Sequence, residues 1–378
     1  MGLLLDRGGV RLMLLMGKTV PLPAPSEVVE ALAQVQVTRD AGGRDGFSLT
    51  FNVGKDKTLE YALLNAFSTA LMNRVIIAAV IGVSVPEVLI DGIITMQQHS
   101  PSREPGASTF TVTGTDLTTM LDLKEKNASY PNQPDFIIVT TLLLNYAMFG
   151  LVPKILPTTD IPIETDKIPR QAETDLKFIR RMAQRNGYIF FIEPVTLLVN
   201  QAYFGPDTRL GLPQAALSLD SGSNSNVTSM SFSQDALAPV GPDGDYFLAL
   251  AKTDLPIPTL PSLKLPPFAL NPTPISRTTI LRDAGNKSPA EVLNAALATV
   301  STSPDSVTGN AQVDTAKYGG IVKPRLPIGV RGVGLSYDGL YYVRKVSHKI
   351  DVRKFTYTQD VSLSREGTGS LVPVVAPS

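Results

Sequence analysis

The chain of 378 residues contains no cysteine, no tryptophan and only two histidines, His99 and His348. The lack of cysteine excludes disulfide bonds, thiolate zinc sites and cysteine nucleophiles. Two histidines cannot form a three-histidine metal site. A Ser-His-Asp triad stays formally possible, but neither histidine has a nucleophile-elbow motif nearby. We therefore expect no catalytic residue, no cofactor and no metal.

An excess of positive charge is also missing, because 34 Lys and Arg residues balance 34 Asp and Glu residues. Nucleic-acid-binding proteins normally carry a basic excess, so we expect no nucleic-acid partner. Long apolar runs are scarce too. Charged residues interrupt the apolar N-terminus, which argues against a signal peptide. The most apolar stretch, 74–90, is short for a membrane helix and contains Pro86. It predicts two buried strands and no membrane insertion.

Ligand-binding motifs are incomplete or stand in the wrong context. The stretch MGKT at 16–19 lacks the glycine that a phosphate-binding loop needs five residues before its Gly-Lys pair, since Leu12 stands there. The stretch GVRGVG at 329–334 is followed by a predicted strand, whereas a dinucleotide fingerprint opens a helix. A carboxylate pair for glycoside hydrolysis stays open, but no motif points to one.

What the chain does contain is alternating and amphipathic patterning. Residues 47–53 alternate as a half-buried strand, and 57–72 have the spacing of an amphipathic helix. Strands are predicted at 74–83 and 87–96 and after residue 107. A short helix is predicted to begin at Thr115 as its N-cap.

The middle of the chain has an α/β pattern. Residues 136–152 are apolar on most sides and predict a buried helix ending near Gly150. A second helix is predicted after an N-cap at Thr174, with a basic outer face and an end at Asn186-Gly187, before a strand at 188–192. Prolines are dense between 239 and 274, which predicts an extended connector. A helix at 288–300 and a hairpin of 340–350 with 354–365 complete the pattern.

Five segments together resemble one family. They are VPEVLIDGIIT (85–95), ASTFTVTGTDLTTMLD (107–122), ETDLKFIRRMAQRNGYIFF (173–191), NVTSMSFS (226–233), and the paired GLYYVRKVSHKI (339–350) with YTQDVSLSREGTGS (357–370). In this order they resemble the late control gene D proteins of contractile-tailed phages, the related baseplate hubs and the hub half of valine-glycine repeat protein G spikes. The stretch AYFGPDTRLGLPQAALSLDSG is most similar to hubs of bacterial contractile injection systems.

The resemblance implies an α+β, mainly β fold with two small β-barrel domains, the first interrupted by an α/β insertion. It also implies a homotrimeric ring with pseudo-sixfold symmetry. The expected divisions are an N-terminal arm (1–46), the first part of barrel one (47–125), the inserted α/β domain (126–200), return strands completing barrel one (201–240), a proline-rich connector (241–287), the second barrel (288–370) and a C-terminal tail (371–378).

The implied function is that of a non-enzymatic baseplate hub joining a sixfold inner tube to a threefold spike. The expected partners are two further copies of the chain, a separate spike protein, the inner tube protein and other baseplate proteins. Assembly is expected in the bacterial cytoplasm as part of a phage tail-like particle. Two alternatives stay open, a tail-tip cell-wall hydrolase and a monomeric β-rich receptor- or carbohydrate-binding module.

The resemblance also marks residues as structural signatures of the family. In this chain they are Asp91, Gly92, Gly114, Asp116, Leu117, Asp175, Phe178, Gly187, Tyr188, Gly339, Tyr342, Val343 and His348.

Overall fold

The computed structural model describes residues 4–7, 10–53, 67, 70–82, 85–104, 107–158, 168–219, 222, 225–248, 253–257, 262, 264–281, 289–354 and 356–371. Over these residues strands predominate and helices are few and short. The predicted α+β, mainly β class is confirmed at this level. Most of the helix predicted at 57–72 lies outside the described residues, as do its neighbours Gly54 and Lys55.

The strands come in chain order, and most are short. In the first half they are β1 (Leu4–Arg7), β2 (Val10–Gly17), β3 (Leu22–Pro23), β4 (Leu32–Asp40), β5 (Gly46–Val53), β6 (Arg74–Ile81), β7 (Glu87–Ser100), β8 (Ser108–Asp116), β9 (Glu125–Ser129), β10 (Leu151–Ile155), β11 (Arg170–Thr174), β12 (Tyr188–Thr196) and β13 (Val199–Pro206). In the second half they are β14 (Gln214–Ser218), β15 (Val227–Gln234), β16 (Val240–Asp243), β17 (Asp245–Leu248), β18 (Thr253–Pro256), β19 (Ala269–Pro272), β20 (Arg277–Ile280), β21 (Val307–Asp314), β22 (Pro327–Arg331), β23 (Gly339–Asp351), β24 (Thr356–Arg365) and β25 (Gly367–Ser370).

The helices lie between these strands. They are α1 (Ser26–Glu30), α2 (Asp135–Leu144), α3 (Asp175–Arg185), α4 (Pro289–Thr302) and α5 (Thr315–Tyr318), with 3-10 helices at Leu117–Asp122 and Ala147–Phe149.

One large sheet of 14 strands organises the described chain. Its main path runs β1-β2-β6-β7-β8-β5-β4-β23-β24-β21-β15, and β22 links β23 to β14. The path is open at β1 and at β15, so the described strands form no closed barrel. The two barrels implied by the resemblance are therefore not present as closed hydrogen-bonded rings in this part of the chain.

Two groups of five strands within this sheet have the same connectivity. The first strand group has the order β6-β7-β8-β5-β4, and the second strand group has the order β22-β23-β24-β21-β15. In both groups, the first strand along the chain (β4 or β15) lies at one side and the third (β6 or β22) at the other. Every neighbouring pair is antiparallel. The two groups join directly, because β4 pairs with β23.

Alternation explains why β5 and β4 are strands. In β5, Phe47, Leu49 and Phe51 are buried while the polar residues between them are half-buried, as the period of two predicts. The segment Leu32–Asp40 has the same alternation, although it lies within the N-terminal arm that the resemblance implies. It forms β4, a central strand between β5 and β23, so this part of the predicted arm belongs to the sheet.

Two helix predictions need correction. The short helix begins after Asp116, whose side chain accepts a hydrogen bond from the Thr118 N–H, because Thr115 is still paired in β8. The apolar run after residue 135 does not form one helix to residue 152. Helix α2 ends at Leu144, Gly150 is left-handed at φ 73°, and the chain then enters β10 because that segment pairs with β13 in parallel.

The middle of the chain forms an α/β segment with its own core. The sheet β10-β13-β12 packs against α2 and α3, and β9 pairs with β11. Buried apolar side chains from both helices and all three strands form one cluster, which also includes Ile93 of the large sheet. Separate clusters fill the first strand group and the second strand group.

The proline-rich connector is less irregular than predicted. Within it, β16 pairs with β20, β17 pairs with β18, and β19 pairs with β25 of the second half. Each of these is a two-stranded ladder at the periphery of the large sheet. Proline is compatible with such edge positions, because the nitrogen that lacks a hydrogen can face away from the ladder.

Candidate functional site: a charged cleft beside the α/β segment

A cleft of about 450 Å³ lies between the α/β segment and the large sheet. The outer face of β12 and β13 forms one wall, and loops of the large sheet before β7 and β22 form the other. The lining residues used below are Arg39, Glu87, Phe191, Glu193, Asp207 and Arg325. We refer to it as the junction cleft.

Four charged side chains meet at the floor of the junction cleft. Arg39 Nε lies 3.5 Å from Asp45 Oδ2, and Arg39 Nη2 lies 3.4 Å from Glu193 Oε2. Arg325 repeats the pattern, with Nη2 3.9 Å from Asp45 Oδ1 and Nη1 3.7 Å from Glu193 Oε2. Two positive and two negative groups thus alternate, and Glu193 brings β12 into contact with both strand groups.

Arg325 is held in an unusual conformation for this contact. Its φ of 66° lies in the left-handed region, which costs energy for a residue with a Cβ. The guanidinium stands 4.0 Å over the Phe191 ring, and Nη2 donates to the Asp40 carbonyl at 2.7 Å. Its Nε and Nη1 are buried without a hydrogen-bond partner, so the ring face and the two carboxylates stabilise them electrostatically.

Each of the three carboxylates of the junction cleft lies beside a cation or accepts a hydrogen bond. Glu87 lies 3.1 Å from Lys323 Nζ, and Asp207 accepts a hydrogen bond of 2.7 Å from the Tyr342 hydroxyl. Glu193 faces the two arginines described above. A glycosidase instead needs one carboxyl group free to protonate a leaving oxygen and a second free to attack or to activate water. The arrangement in the cleft is that of a docking contact between parts of the chain.

A second polar contact ties the α/β segment to the sheet. Arg74 and Asp91 form a buried two-point ion pair, with Nε to Oδ1 at 2.7 Å and Nη2 to Oδ2 at 2.6 Å. Asn200 of β13 donates to the same carboxylate at 2.8 Å, and Arg74 also donates to the Phe149 carbonyl at 2.9 Å. The ion pair of the signature residue Asp91 with Arg74 therefore fastens β13 and the 3-10 helix before β10 to the first strand group.

The signature residues Gly92 and Gly114 lie where neighbouring strands approach each other closely. A Cβ on Gly92 would lie 2.4 Å from the Thr115 carbonyl oxygen, and one on Gly114 would lie 2.2 Å from that of Ile93. Both glycines also face the Phe47 ring. Glycine is required here because any side chain would collide with backbone atoms that cannot move aside.

The signature residues Asp116 and Leu117 lie at the end of β8 and the start of the following 3-10 helix. Leu117 is fully buried in the core of the α/β segment. Burial, assisted by the charge of Asp45, raises the pKa of Asp116 to about 6, although hydrogen bonds from Thr118 act in the opposite direction. The carboxyl group is thus an N-cap that holds its proton at mildly acid pH.

A second set of signature residues lies within the α/β segment. Asp175 is fully buried and accepts hydrogen bonds from Tyr146 and Gln171, both at 2.7 Å, beside Lys126. Burial and this carboxylate raise the pKa of Tyr146. Phe178 stacks on Tyr130 at 5.6 Å between ring centres.

Both ends of helix α3 lie where the sequence predicts them. Thr174 caps the helix by accepting the Lys177 N–H, and Gly187 ends it with φ 66°. Tyr188 begins β12, and its hydroxyl donates to the Pro157 carbonyl at 2.7 Å. The predicted basic outer face is largely engaged, since Arg185 pairs with buried Asp135 and Arg181 pairs with Glu173 at 2.8 Å.

The remaining signature residues lie on β23. Gly339 has φ 129°, and a Cβ there would meet the Ser370 side chain at 2.5 Å. Tyr342 and Val343 are buried. His348 is also buried, with Nδ1 3.0 Å from the Tyr357 hydroxyl, and burial together with the charge of Arg39 lowers its pKa to about 3.

The signature residues thus lie in three parts of the fold, and two of these parts meet in one core, because Leu117 and Phe178 belong to the same buried cluster. Sequence reasoning missed Arg39, Arg325, Asn200 and the buried Arg209. Arg209 pairs with Asp305 at 2.6 Å and with Glu366, and so links the loop after β13 to the start of β21 and the end of β24. Burial alone would raise the pKa of Asp305, but the charges of Arg209 and Lys264 lower it to about 2. Single arginines in strands and loops have no spacing signal that could reveal these partners.

The part of the chain that the structure describes contains neither a cluster of metal ligands nor a helix that could span a membrane. No group of three or more His, Asp or Glu side chains is placed to hold a metal ion there. Over the same residues, the helices are too short or too polar to cross a membrane.

The comparisons agree on the fold. No family model matches the chain, and no curated protein matches it in sequence. Among solved structures it is similar to a tail protein from Neisseria meningitidis MC58, at TM-score 0.60 and 15% identity over 96% of this chain and 98% of that one. It is similar to the 43 kDa tail protein of prophage MuSo2 from Shewanella oneidensis, at TM-score 0.60 and 12% identity over 94% and 98%.

A third similar structure is an E. coli component of the type VI secretion system, described as structurally similar to the T4 bacteriophage tail proteins gp27 and gp5. It aligns at TM-score 0.52 and 13% identity over 92% of this chain and 78% of that one. The chain therefore has the fold shared by phage tail proteins and type VI secretion spike-like proteins. The resemblance drawn from the five sequence segments is confirmed at the level of the fold.

Proposed function

We propose that the chain is a non-enzymatic baseplate hub of a contractile injection system or phage tail, joining a sixfold inner tube to a threefold spike. The observation that supports this most is its likeness to tail proteins over nearly the whole length of both chains. The predicted divisions of the chain, from the N-terminal arm to the C-terminal tail, belong to this proposal.

The two strand groups supply the symmetry argument. One chain carries two groups of equal connectivity, so a ring of three chains would present six similar units. Such a ring could meet a sixfold tube on one face and a threefold spike on the other. The signature residues would then act structurally, holding the α/β segment and the strand groups in fixed relation.

The proposed partners follow from this role. They are two further copies of the chain, the inner tube protein, a separate spike protein and other baseplate proteins. Assembly would take place in the bacterial cytoplasm, before the particle acts on a target.

Light scattering on the purified chain tests the proposal. We expect a mass near three times the 40.5 kDa chain, either alone or after addition of the neighbouring tail proteins. A strict monomer under both conditions would contradict the hub and favour a monomeric binding module. Release of sugar fragments from peptidoglycan by the purified chain would favour a cell-wall hydrolase.

A further inference from the structure

The two strand groups are equivalent residue by residue along their long strands. The ladder between β7 and β8 has a register shift between Ile94 and Met96, and the ladder between β23 and β24 has one between Val343 and Lys345. Each shift leaves one extra residue on the long strand, after three pairs in the β7–β8 ladder and after two pairs in the β23–β24 ladder. Superimposing the two bulges aligns β7 with β23.

The first strands of the two groups align in the same way. The ladder between β4 and β5 shifts register between Leu32 and Gln34, directly after its first pair. The ladder between β15 and β21 shifts between Val227 and Ser229, also directly after its first pair. Because a β-bulge is a specific local feature, two bulges at matching places in both groups make a chance likeness improbable.

The ends of β4 and β15 provide a third match. The Asp40 side chain accepts the Gly42 N–H at 2.9 Å, and the Asp235 side chain accepts the Leu237 N–H at 2.8 Å. Under the alignment, Asp40 corresponds to Asp235. The same turn thus closes the first strand of each group.

Within the chain, the groups meet through a defined ladder. Strand β4 pairs antiparallel with the second half of β23, from Lys345 opposite Asp40 to Asp351 opposite Gln34. At its centre, the Thr38 and Ser347 side-chain oxygens lie 3.1 Å apart. The first half of β23 is occupied on the same side by β22.

At the two outer sides of the chain, the corresponding strand edges have no described strand beside them. Strand β6 occupies the first half of β7 up to Ile93, but no other described strand pairs with residues 95–100 on that side. Apart from Gln97, those residues are exposed. Among the described strands, β15 pairs only with β21 and ends the sheet.

We propose that β15 of one copy pairs antiparallel with residues 96–100 of β7 in the next copy. The contact would repeat between chains the one that β4 and β23 make within the chain. Equivalent positions place Gln98 opposite Ser233 of the neighbouring copy, and His99 opposite Phe232. This inference rests on the proposed function as a ring and names the surface through which the copies join.

The chemistry of the two strand edges favours this pairing. An open strand edge presents unpaired backbone donors and acceptors, and pairing satisfies them. On β15, Met230 and Phe232 are only half-buried at positions where β4 carries the fully buried Val35 and Val37. The contact joins two different surfaces, so it propagates from head to tail, and in the proposed hub three copies would close it into a ring.

Disulfide cross-linking tests the register in a chain that contains no cysteine. Both Gln98 and Ser233 are exposed, so their replacement by cysteine should leave folding intact, which circular dichroism would check. Gln98→Cys protein mixed with Ser233→Cys protein should give a cross-linked dimer under mild oxidation, and neither variant alone should. The double variant should give larger covalent species that end at the closed ring.

A slipped pair provides the matched control. Gln98→Cys mixed with Ser231→Cys places the thiols on the same face but about 7 to 8 Å apart, beyond disulfide reach. Equal yields from both mixtures, or cross-links from neither in a chain that is oligomeric by light scattering, would overturn the proposed contact while leaving the hub proposal standing. A monomeric chain would overturn both.

Discussion

His99 and His348 occupy equivalent positions in the two strand groups, His99 opposite Phe110 of β8 and His348 opposite Gln359 of β24. Their surroundings differ completely. His348 is 1% exposed and its strand pairs with β4, whereas His99 is exposed and none of the described strands takes the corresponding place beside β7. The difference between two matching residues marks the place where a second copy would bind.

The buried His348 should make the protein sensitive to acid. Its pKa falls from 6.5 to about 3 on folding, so between these values the unfolded chain binds a proton that the folded chain does not. The free energy of unfolding therefore falls as pH drops from 6.5 towards 3, by about 3 kcal/mol at pH 4. In His348→Asn this contribution should disappear, as urea titrations at fixed protein concentration and stepwise pH would measure. An unchanged pH slope in the variant would contradict the assignment.

Asp116 should act in the opposite direction. Its pKa rises from 3.8 to about 6 on folding, so the folded chain holds a proton that the unfolded chain has lost. This contribution stabilises the fold below pH 3.8 and is lost as pH rises through 6. Asparagine also caps helices well, so Asp116→Asn should keep the cap and remove only the titration. We expect its unfolding free energy to fall more steeply than that of the wild type between pH 6 and pH 4, by roughly 2 kcal/mol.

Removal of Arg74 should be strongly destabilising. Arg74→Met leaves the Asp91 carboxylate buried without its cation, which costs about 3 to 5 kcal/mol in other proteins. Arg181→Met is the matched control, because the Arg181 side chain is 51% exposed and its ion pair with Glu173 should contribute less than about 1 kcal/mol. Chemical denaturation of both variants measures the difference. Similar losses in the two would show that the Arg74 contact does not fasten the α/β segment.

Alanine substitutions at Gly187 and Gly82 can separate the energetic cost of a close contact from the cost of a left-handed backbone conformation. Gly187 and Gly82 both have positive φ, 66° and 60°, but a Cβ on Gly187 would lie 3.0 Å from Ala298 Cα while one on Gly82 meets nothing within 4 Å. Gly82→Ala should therefore cost only the backbone penalty of about 1 kcal/mol. Gly187→Ala should cost clearly more, because α4 must also move. Equal melting temperatures for the two variants would contradict close packing of α3 on α4.

Local signals in the sequence predicted the elements whose residues interact with near neighbours. The Thr174 cap, the Gly187 stop and the β23–β24 hairpin depend on residues close along the chain, and all are confirmed. The N-cap predicted at Thr115 is wrong, because the cap is the next residue, Asp116, whose side chain accepts the Thr118 N–H. The open path of the sheet and the Arg325 contact with Phe191 depend on partners far away in the sequence, which no periodicity reveals.

The ladder between β4 and β23 also constrains how the chain folds. Thr38 and Ser347, paired at its centre, are 309 positions apart. Contacts between such distant residues slow folding, because a long loop must close before they form. During synthesis β4 leaves the ribosome well before β23 and stays without its second neighbour until the residues between them have followed. The first strand group therefore keeps one edge unpaired until β23 has been made.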